Sequence, residues 1–181
     1  MESRRRQKAD YLFGAIVVIL IIVIIAVFLL AVNWKPPSFG SGGSSTGPKP
    51  LSDYSTGHVH TTVTDPSNPN RVYTGTHEGL FFSDDGGKTY LRLEGTLARE
   101  DVMGFVVDPA DSQTLYASGH SIGVMHSSDG GKVWHPRSQG IPSQDVHGLS
   151  LESASPPRLR AEMASGQNYV SSDWGESWIE G

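Results

Sequence analysis

Three copies of one eight-residue frame recur in this sequence, each running from a serine to an aromatic residue in the pattern S-x-D-x-G-x-x-(W/Y). The lead serines, Ser83, Ser127 and Ser171, are 44 residues apart. The copies read SDDGGKTY, SSDGGKVW and SSDWGESW. A fixed period of about 20–50 residues indicates a solenoid, a propeller or a similar array, because each repeat buries its apolar face against the next.

The similarity extends upstream of these frames, which are called boxes below. His60, Met103 and His147 occupy one repeated position. The further matches are Asp65-Pro66 with Asp108-Pro109, Tyr73 with Tyr116, and His77 with His120. These pairs lie 43 residues apart and the boxes 44, so the second repeat has one extra residue between His120 and Ser127. The extra residue predicts a β-bulge there.

Each repeat reads as four short strands separated by turns. In the second repeat, DVMGFVVD alternates so that Met103, Phe105 and Val107 share one face, with Val102 and Val106 on the other. Because both faces are apolar, this strand is expected to be covered on both sides. Four strands in about 44 residues is the spacing of a propeller blade. The sequence therefore predicts an all-β fold, a partial β-propeller of about three four-stranded blades.

Each box is expected to close the hairpin between the third and fourth strands of its blade. The aspartate accepts hydrogen bonds from backbone N–H groups two residues on, a glycine supplies positive φ, and the serine hydroxyl satisfies further backbone groups. The terminal aromatic residue begins the next strand and buries its ring. These structural positions are Ser83, Asp85, Gly87 and Tyr90, then Ser127, Asp129, Gly131 and Trp134, and finally Ser171, Asp173, Gly175 and Trp178.

The frame S-x-D-x-G-x-x-W resembles the Asp-box, or bacterial neuraminidase repeat, of sialidases, sortilin-type receptors, xyloglucan hydrolases and the photosystem II stability and assembly factor family. The longer pattern HVH…DPSNPNRVYTGTHEGLFFSDDGGKTY, followed by DVMGFVVDPADSQTLYASGH, is similar to exported bacterial proteins labelled glycosyl hydrolase by repeat content. The resemblance covers residues 58–181 and implies a β-propeller. It implies no single activity, because this fold hosts unrelated functions.

The N-terminal part carries a membrane-spanning pattern. Residues 11–32, YLFGAIVVILIIVIIAVFLLAV, contain no charge and no proline and are long enough as a helix to cross about 30 Å of hydrocarbon. A cleaved signal peptide would need a shorter apolar core and a small-x-small cleavage site. We therefore expect one uncleaved N-terminal transmembrane helix over 11–34. The basic tail 1–10, with three arginines and a lysine, is expected to stay in the cytoplasm.

The rest of the chain is predicted to be periplasmic or extracellular. Residues 35–57 read as a flexible Gly/Ser/Pro-rich tether, 58–95 as blade 1, 96–139 as blade 2 and 140–181 as an incomplete blade 3. Residues 58–181 contain eight Lys or Arg against sixteen Asp or Glu, a net charge of −8, and the chain has no cysteine. This acidic balance excludes non-specific nucleic-acid binding. Without disulfides, burial alone must hold the exported part together.

Catalysis by a carboxylate pair would use Asp101 and Asp145, which match each other between repeats and each precede an inner strand. The competing interpretation is that both are turn residues at a strand start, which their repetition favours. The arginine motif that sialidases carry before the first blade is absent from this sequence. The sequence therefore favours a protein without catalytic residues over an enzyme.

Histidines and one methionine are predicted to converge at one mouth of the propeller channel. Equivalent positions of successive blades surround that mouth, which brings together His60, Met103 and His147, with His77 and His120 on neighbouring stretches. Imidazole and thioether ligands suit copper or zinc. The alternative is ordinary packing, with imidazoles hydrogen-bonded to the backbone and Met103 filling space.

Three blades in an arc are expected to leave two apolar faces uncovered, since a repeat cannot bury its own face without a neighbour. A second copy completing a six-blade ring, another membrane protein's exposed domain, or further blades of a longer chain would cover them. The predicted function is a non-catalytic interaction, stability or assembly subunit of a membrane protein complex. The alternatives are a glycoside hydrolase whose remaining blades supply its other catalytic residues, and a periplasmic copper- or zinc-handling protein.

Overall fold

The computed structural model describes residues 47–181, which form three four-stranded antiparallel sheets after a short 3-10 helix, Leu51–Asp53. The first sheet contains β1 (Val59–Asp65), β2 (Asn68–Thr76), β3 (Gly79–Ser83) and β4 (Leu91–Arg92). The second contains β5 (Val102–Asp108), β6 (Asp111–Gly119), β7 (Gly123–Ser127) and β8 (His135–Pro136). The third contains β9 (Val146–Ala154), β10 (Pro157–Met163), β11 (Asn168–Ser171) and β12 (Ile179–Glu180).

Within each sheet the strands lie side by side in chain order, and the first strands, β1, β5 and β9, contact one another in turn. This is the arrangement of blades around a propeller channel. The all-β prediction is confirmed, and the fold is that of part of a propeller. The third sheet, expected to be incomplete, has four strands, and β12 is two residues long, as β4 and β8 are.

No helix within residues 47–181 combines the length and the apolar character that crossing a membrane requires. The transmembrane helix predicted over 11–34 lies outside the described residues.

Two apolar cores lie on either side of the second sheet. Phe105 and Val107 pack towards the first sheet, and Val106 packs towards the third, so this strand is covered on both sides as predicted. Val102 lies with Phe105 and Val107 and not with Val106, because a register shift at Met103 changes the phase of the alternation. The face predicted for Val102 is therefore wrong.

The extra residue of the second repeat lies in a turn and not in a strand. β6 and β7 pair without a register shift from Leu115 to Gly119, so the bulge predicted between His120 and Ser127 is not there. The turn joining them is one residue longer than the β2–β3 turn, and Ser121 adopts a φ of 64° in it. A longer turn accommodates the insertion without disturbing the sheet.

Register shifts occur instead near the start of each inner strand. In β1 the shift falls at His60, in β5 at Met103, and in β9 at His147. A bulge leaves one residue unpaired in the ladder and re-aims its side chain. The one repeated position occupied by His60, Met103 and His147 is thus a conformationally distinct position in all three sheets.

The outer face of the third sheet, which points away from the second, is polar apart from the paired Val170 and Ile179. In β10 the buried residues Leu159 and Ala161 alternate with Arg158, Arg160 and Glu162. Glu152 on β9 accepts hydrogen bonds from the side chains of both arginines. Such alternation is typical of a sheet with one solvated face. The expectation of an uncovered apolar face is therefore wrong for this sheet.

The outer face of the first sheet is covered by residues 47–57, the second half of the predicted tether. A β-bridge joins Lys49 to Tyr90. The Tyr54 ring packs edge-on against the buried Phe81 ring, with 4.9 Å between their centroids, and its hydroxyl donates to the Tyr90 carbonyl at 2.7 Å. Residues 47–57 are thus part of the folded unit and not a flexible tether, and the second apolar face is not bare either.

Candidate functional site

Each box is organised around its serine hydroxyl and its aspartate. In the second box, Ser127 Oγ donates to Asp129 at 2.8 Å and accepts from the Gly131 N–H at 2.9 Å. Asp129 accepts from the N–H groups of Lys132 and Val133, both at 3.0 Å. The aspartate therefore reaches residues three and four positions on, and not two as predicted. The N–H of Val133, followed by the Ser127 hydroxyl, lowers the pKa of Asp129.

The same contacts recur in the other boxes. Ser83 and Ser171 each donate to the box aspartate at 2.7 Å and accept from a glycine N–H at 2.8 Å. The glycines at this position have positive φ in all three copies, with 85° at Gly87, 90° at Gly131 and 82° at Gly175. The box is therefore one turn geometry that occurs three times along this chain.

The aromatic residue that ends each box packs between sheets in the second and third boxes and against residues 47–57 in the first. Trp134 belongs to the core between the first and second sheets, and Trp178 to the core between the second and third. The Trp178 indole N–H donates to the Arg137 carbonyl at 2.7 Å, which joins the third sheet to the end of the second. Tyr90 packs beside the segment that contains Tyr54. The box residues therefore have a structural role, and the clustered histidines and aspartates lie outside the boxes.

Two clusters, each of two histidines and one aspartate, lie at the seams between neighbouring sheets. The first seam cluster joins His60 at the β1 bulge, His77 in the β2–β3 turn and Asp101, which precedes β5 of the next sheet. His77 Nδ1 lies 2.9 Å from Asp101 Oδ2. His60 Nε2 lies 3.1 Å from His77 Nδ1 and 3.2 Å from Asp101 Oδ1.

The second seam cluster joins His120 in the β6–β7 turn, Asp145 directly before β9, and His147 at the β9 bulge. His120 Nδ1 lies 2.6 Å from Asp145 Oδ1, and His147 Nε2 lies 3.3 Å from the same oxygen. The two imidazole rings stand nearly perpendicular, with 4.5 Å between their centroids. The layout of turn histidine and strand-start aspartate is the same as in the first seam cluster.

The clusters differ in the sheet that supplies the third residue. His60 comes from the same sheet as its turn histidine, whereas His147 comes from the same sheet as its aspartate. Met103 occupies the equivalent bulge of β5 in the sheet between them. The four predicted histidines are thus brought together in pairs at two seams rather than in one ring with Met103.

Both aspartates of these clusters were candidates for catalysis, and their place beside the histidines was not predicted. One signal was available in the sequence: His77 precedes Asp101 by 24 residues, and His120 precedes Asp145 by 25. The difference equals the one residue inserted in the β6–β7 turn. Matching these histidine-to-aspartate spacings across repeats would have paired His77 with Asp101 and His120 with Asp145.

Burial, followed by the charge of His77, lowers the pKa of His60. His58 and His120 act in the same direction, and Asp101 opposes them. His60 is therefore held towards the neutral imidazole, the form that has a free nitrogen lone pair.

Three clefts among residues 47–181 lie away from these aspartates. One of about 350 Å³ is lined by residues that include His126, His135, Arg137 and Glu176. Two others, of about 220 and 230 Å³, are lined by residues of the first two sheets and their turns, together with Pro48. Neither seam cluster contributes a residue to any of these three.

The three sheets with their contacting inner strands place this chain in the structural class of β-propellers. No protein-family model matches the sequence, and no curated protein matches it. The similarity is to solved structures, and at identities below 25% it shows the fold alone.

Three such structures illustrate it. The GH74 enzyme of Niastella koreensis has a TM-score of 0.53 and 23% identity, over 69% of this chain and 21% of that one. YCF48 from Cyanidioschyzon merolae has a TM-score of 0.52 and 19% identity, over 74% of this chain and 39% of that one. YCF48 bound to D1 peptide has a TM-score of 0.53 and 17% identity, over 69% of this chain and 40% of that one. The chain thus spans between about a fifth and two fifths of their lengths.

Proposed function

We propose that this chain is a membrane-anchored, extracytoplasmic propeller module that acts by binding, as a non-catalytic interaction, stability or assembly subunit of a membrane protein complex. The observation that carries the proposal is the environment of Asp101 and Asp145. Each carboxylate is held by histidine nitrogens, at 2.9 and 2.6 Å respectively, and neither lines any of the three clefts described above. A glycosidase pair instead flanks its substrate, with room for the scissile bond between the carboxylates.

The surface supports a charged rather than an apolar contact. Among residues 47–181 the exposed large apolar side chains are Val59, Val133 and Ile179, which belong to three different repeats. Single exposed apolar residues of this kind do not form a hydrophobic docking patch. The net charge of −8 over residues 58–181 favours a partner with a basic surface.

The solved propellers are compatible with binding and with hydrolysis. YCF48 was solved with a D1 peptide, so a propeller of this general form holds a polypeptide in that protein. The GH74 propellers are enzymes, which keeps glycoside hydrolysis as the competing function. The carboxylate environment described above favours the first.

A carbodiimide cross-linker tests the proposal, because it joins carboxylates directly to lysine amines. We expect the full chain in its native membrane to form an adduct with a different polypeptide, and the yield to fall as salt is raised. An amine-to-amine reagent is the matched control, because it reacts with lysines and not with carboxylates. Residues 47–181 hold only three lysines, Lys49, Lys88 and Lys132. Adducts limited to the chain itself, or hydrolysis of an aryl glycoside that Asp101→Asn abolishes, would contradict the proposal.

A further inference from the structure

The ligand atoms of the first seam cluster are spaced like those around a metal ion. Bonds of about 2.0–2.1 Å to imidazole nitrogen and carboxylate oxygen place tetrahedral ligands about 3.3 Å apart. The observed separations are 3.1 Å between His60 Nε2 and His77 Nδ1, 3.2 Å between His60 Nε2 and Asp101 Oδ1, and 2.9 Å between His77 Nδ1 and Asp101 Oδ2. The potential ligand atoms of each seam cluster all lie within 4.8 Å of one another.

One atom in each cluster is buried without a hydrogen bond. These atoms are Asp101 Oδ1 and His147 Nε2. Each lies only 3.2–3.3 Å from a ligand atom of its own cluster, but the angles do not suit a hydrogen bond. A buried polar atom without a partner is costly and calls for a specific explanation, of which an ion is one. Atoms that are close but misaligned are expected when their lone pairs point at a common third atom.

The donor types select the kind of ion. Imidazole nitrogen suits zinc, copper, iron and nickel, whereas calcium and magnesium prefer oxygen ligands alone. The chain has no cysteine, so neither site has a thiolate. Two imidazoles and one carboxylate leave a coordination position open in a tetrahedral site.

We propose that each seam cluster binds one divalent transition-metal ion of the zinc or copper(II) type, through His60, His77 and Asp101 at the first seam and through His120, Asp145 and His147 at the second. Each ion would join neighbouring sheets, because the turn histidine and the aspartate belong to successive repeats. The open position on each ion is available to a water molecule or to a donor atom from a partner.

Calorimetric titration of the chelator-treated full chain in detergent with zinc chloride, and separately with copper(II) chloride, tests the proposal. We expect two equivalents per chain and a rise in unfolding temperature, with no effect from magnesium. His77→Ala and His120→Ala should each lose one equivalent, and the double variant should lose both. His135→Ala, an exposed histidine on β8, is the matched control and should keep two.

Asp101→Asn guards against variants that fail to fold, because the amide oxygen still accepts a hydrogen bond from His77 while the charged ligand is lost. It should leave the unfolding temperature of the metal-free chain nearly unchanged and weaken one of the two sites about tenfold or more. Cobalt(II) adds a spectroscopic readout, since a tetrahedral site gives a strong visible band that the double variant should lack. No heat and no thermal shift with either metal, or full binding by the double variant, would overturn the proposal.

Discussion

At the residue scale, the serine hydroxyl and the aspartate carboxylate of each box satisfy backbone N–H groups, as backbone pairing does within a strand. Ser127 is fully buried and both donates and accepts, while Asp129 accepts two further backbone N–H groups. The residue types alone predicted this role, because aspartate, glycine and serine have well-defined turn chemistry. The positions that the carboxylate reaches were not predicted, because they depend on the path of the backbone after the turn.

Trp174 is the residue at which one box departs from the others. It occupies the position of Gly86 and Gly130, which have φ of 74° and 73°, and it adopts a φ of 59° itself. A bulky residue is strained in this left-handed region. Its ring stacks on Tyr116 with 6.0 Å between centroids, an interplanar angle of 18°, and packs against the core between the second and third sheets. Packing across the seam therefore offsets strain in the backbone.

Two substitutions separate these contributions. Trp174→Ala removes the ring and keeps the strain, whereas Trp174→Gly removes both. We expect both variants to be less stable than the native chain, and the glycine variant to be more stable than the alanine variant by about 1 kcal/mol. Chemical unfolding followed by tryptophan fluorescence measures the difference. An alanine variant as stable as the glycine variant would show that this position carries no strain.

The histidines illustrate the limit of sequence reasoning at the same scale. Their repeated positions predicted that they lie near the propeller mouth, and His60, His77, His120 and His147 do meet other histidines. Their division into two seam clusters depends on bulges and on which sheet faces which. Neither is encoded in a local pattern.

At the scale of the strand, apolar alternation predicted burial on both sides of β5 but not the phase of its first residues. One unpaired residue at Met103 is enough to move Val102 to the other core. Gly104, directly after it, allows β5 to approach β9, since a Cβ there would lie 2.5 Å from the Leu149 nitrogen. Bulge and close approach are long-range properties of the assembled sheets, so alternation within one strand does not reveal them.

The segment 47–57 is the element whose role differs most from its composition. Glycine, serine and proline predicted a tether, yet Tyr54 anchors the segment on the first sheet through the Phe81 ring and the Tyr90 carbonyl. Lys49 adds its ammonium group 4.2 Å from the centre of the Tyr54 ring. One aromatic side chain with a hydrogen-bonding tip thus determines the position of a segment that is otherwise poor in apolar residues.

Substitutions at Tyr54 test this anchoring. Tyr54→Phe loses only the hydrogen bond to Tyr90 and should lower the free energy of unfolding by about 0.5–1.5 kcal/mol. Tyr54→Ala also uncovers Phe81 and should cost about 2 kcal/mol or more. Ser52→Ala, an exposed change in the same segment, is the control and should be nearly neutral. If Tyr54→Ala is as mild as Ser52→Ala, the segment does not cap the sheet.

At the scale of the whole described unit, the outer faces decide how the arc meets other molecules. The sequence predicted two bare apolar faces, but Glu152 and its arginine partners make one face largely polar, and residues 47–57 cover the other. This removes the apolar driving force on which closure of two arcs into one ring depended. An acidic surface with scattered apolar residues instead favours a partner held by charge.

The native mass of the full chain extracted from its own membrane in mild detergent tests whether this propeller module is, as proposed, a subunit held by charge to a different protein. We expect a mass above that of the 19.5 kDa chain by the mass of another polypeptide. The complex should dissociate as salt approaches about 1 M, where charges are screened beyond about 3 Å. A monomer at every salt concentration, or a homodimer that persists at high salt, would show that the chain is not such a subunit.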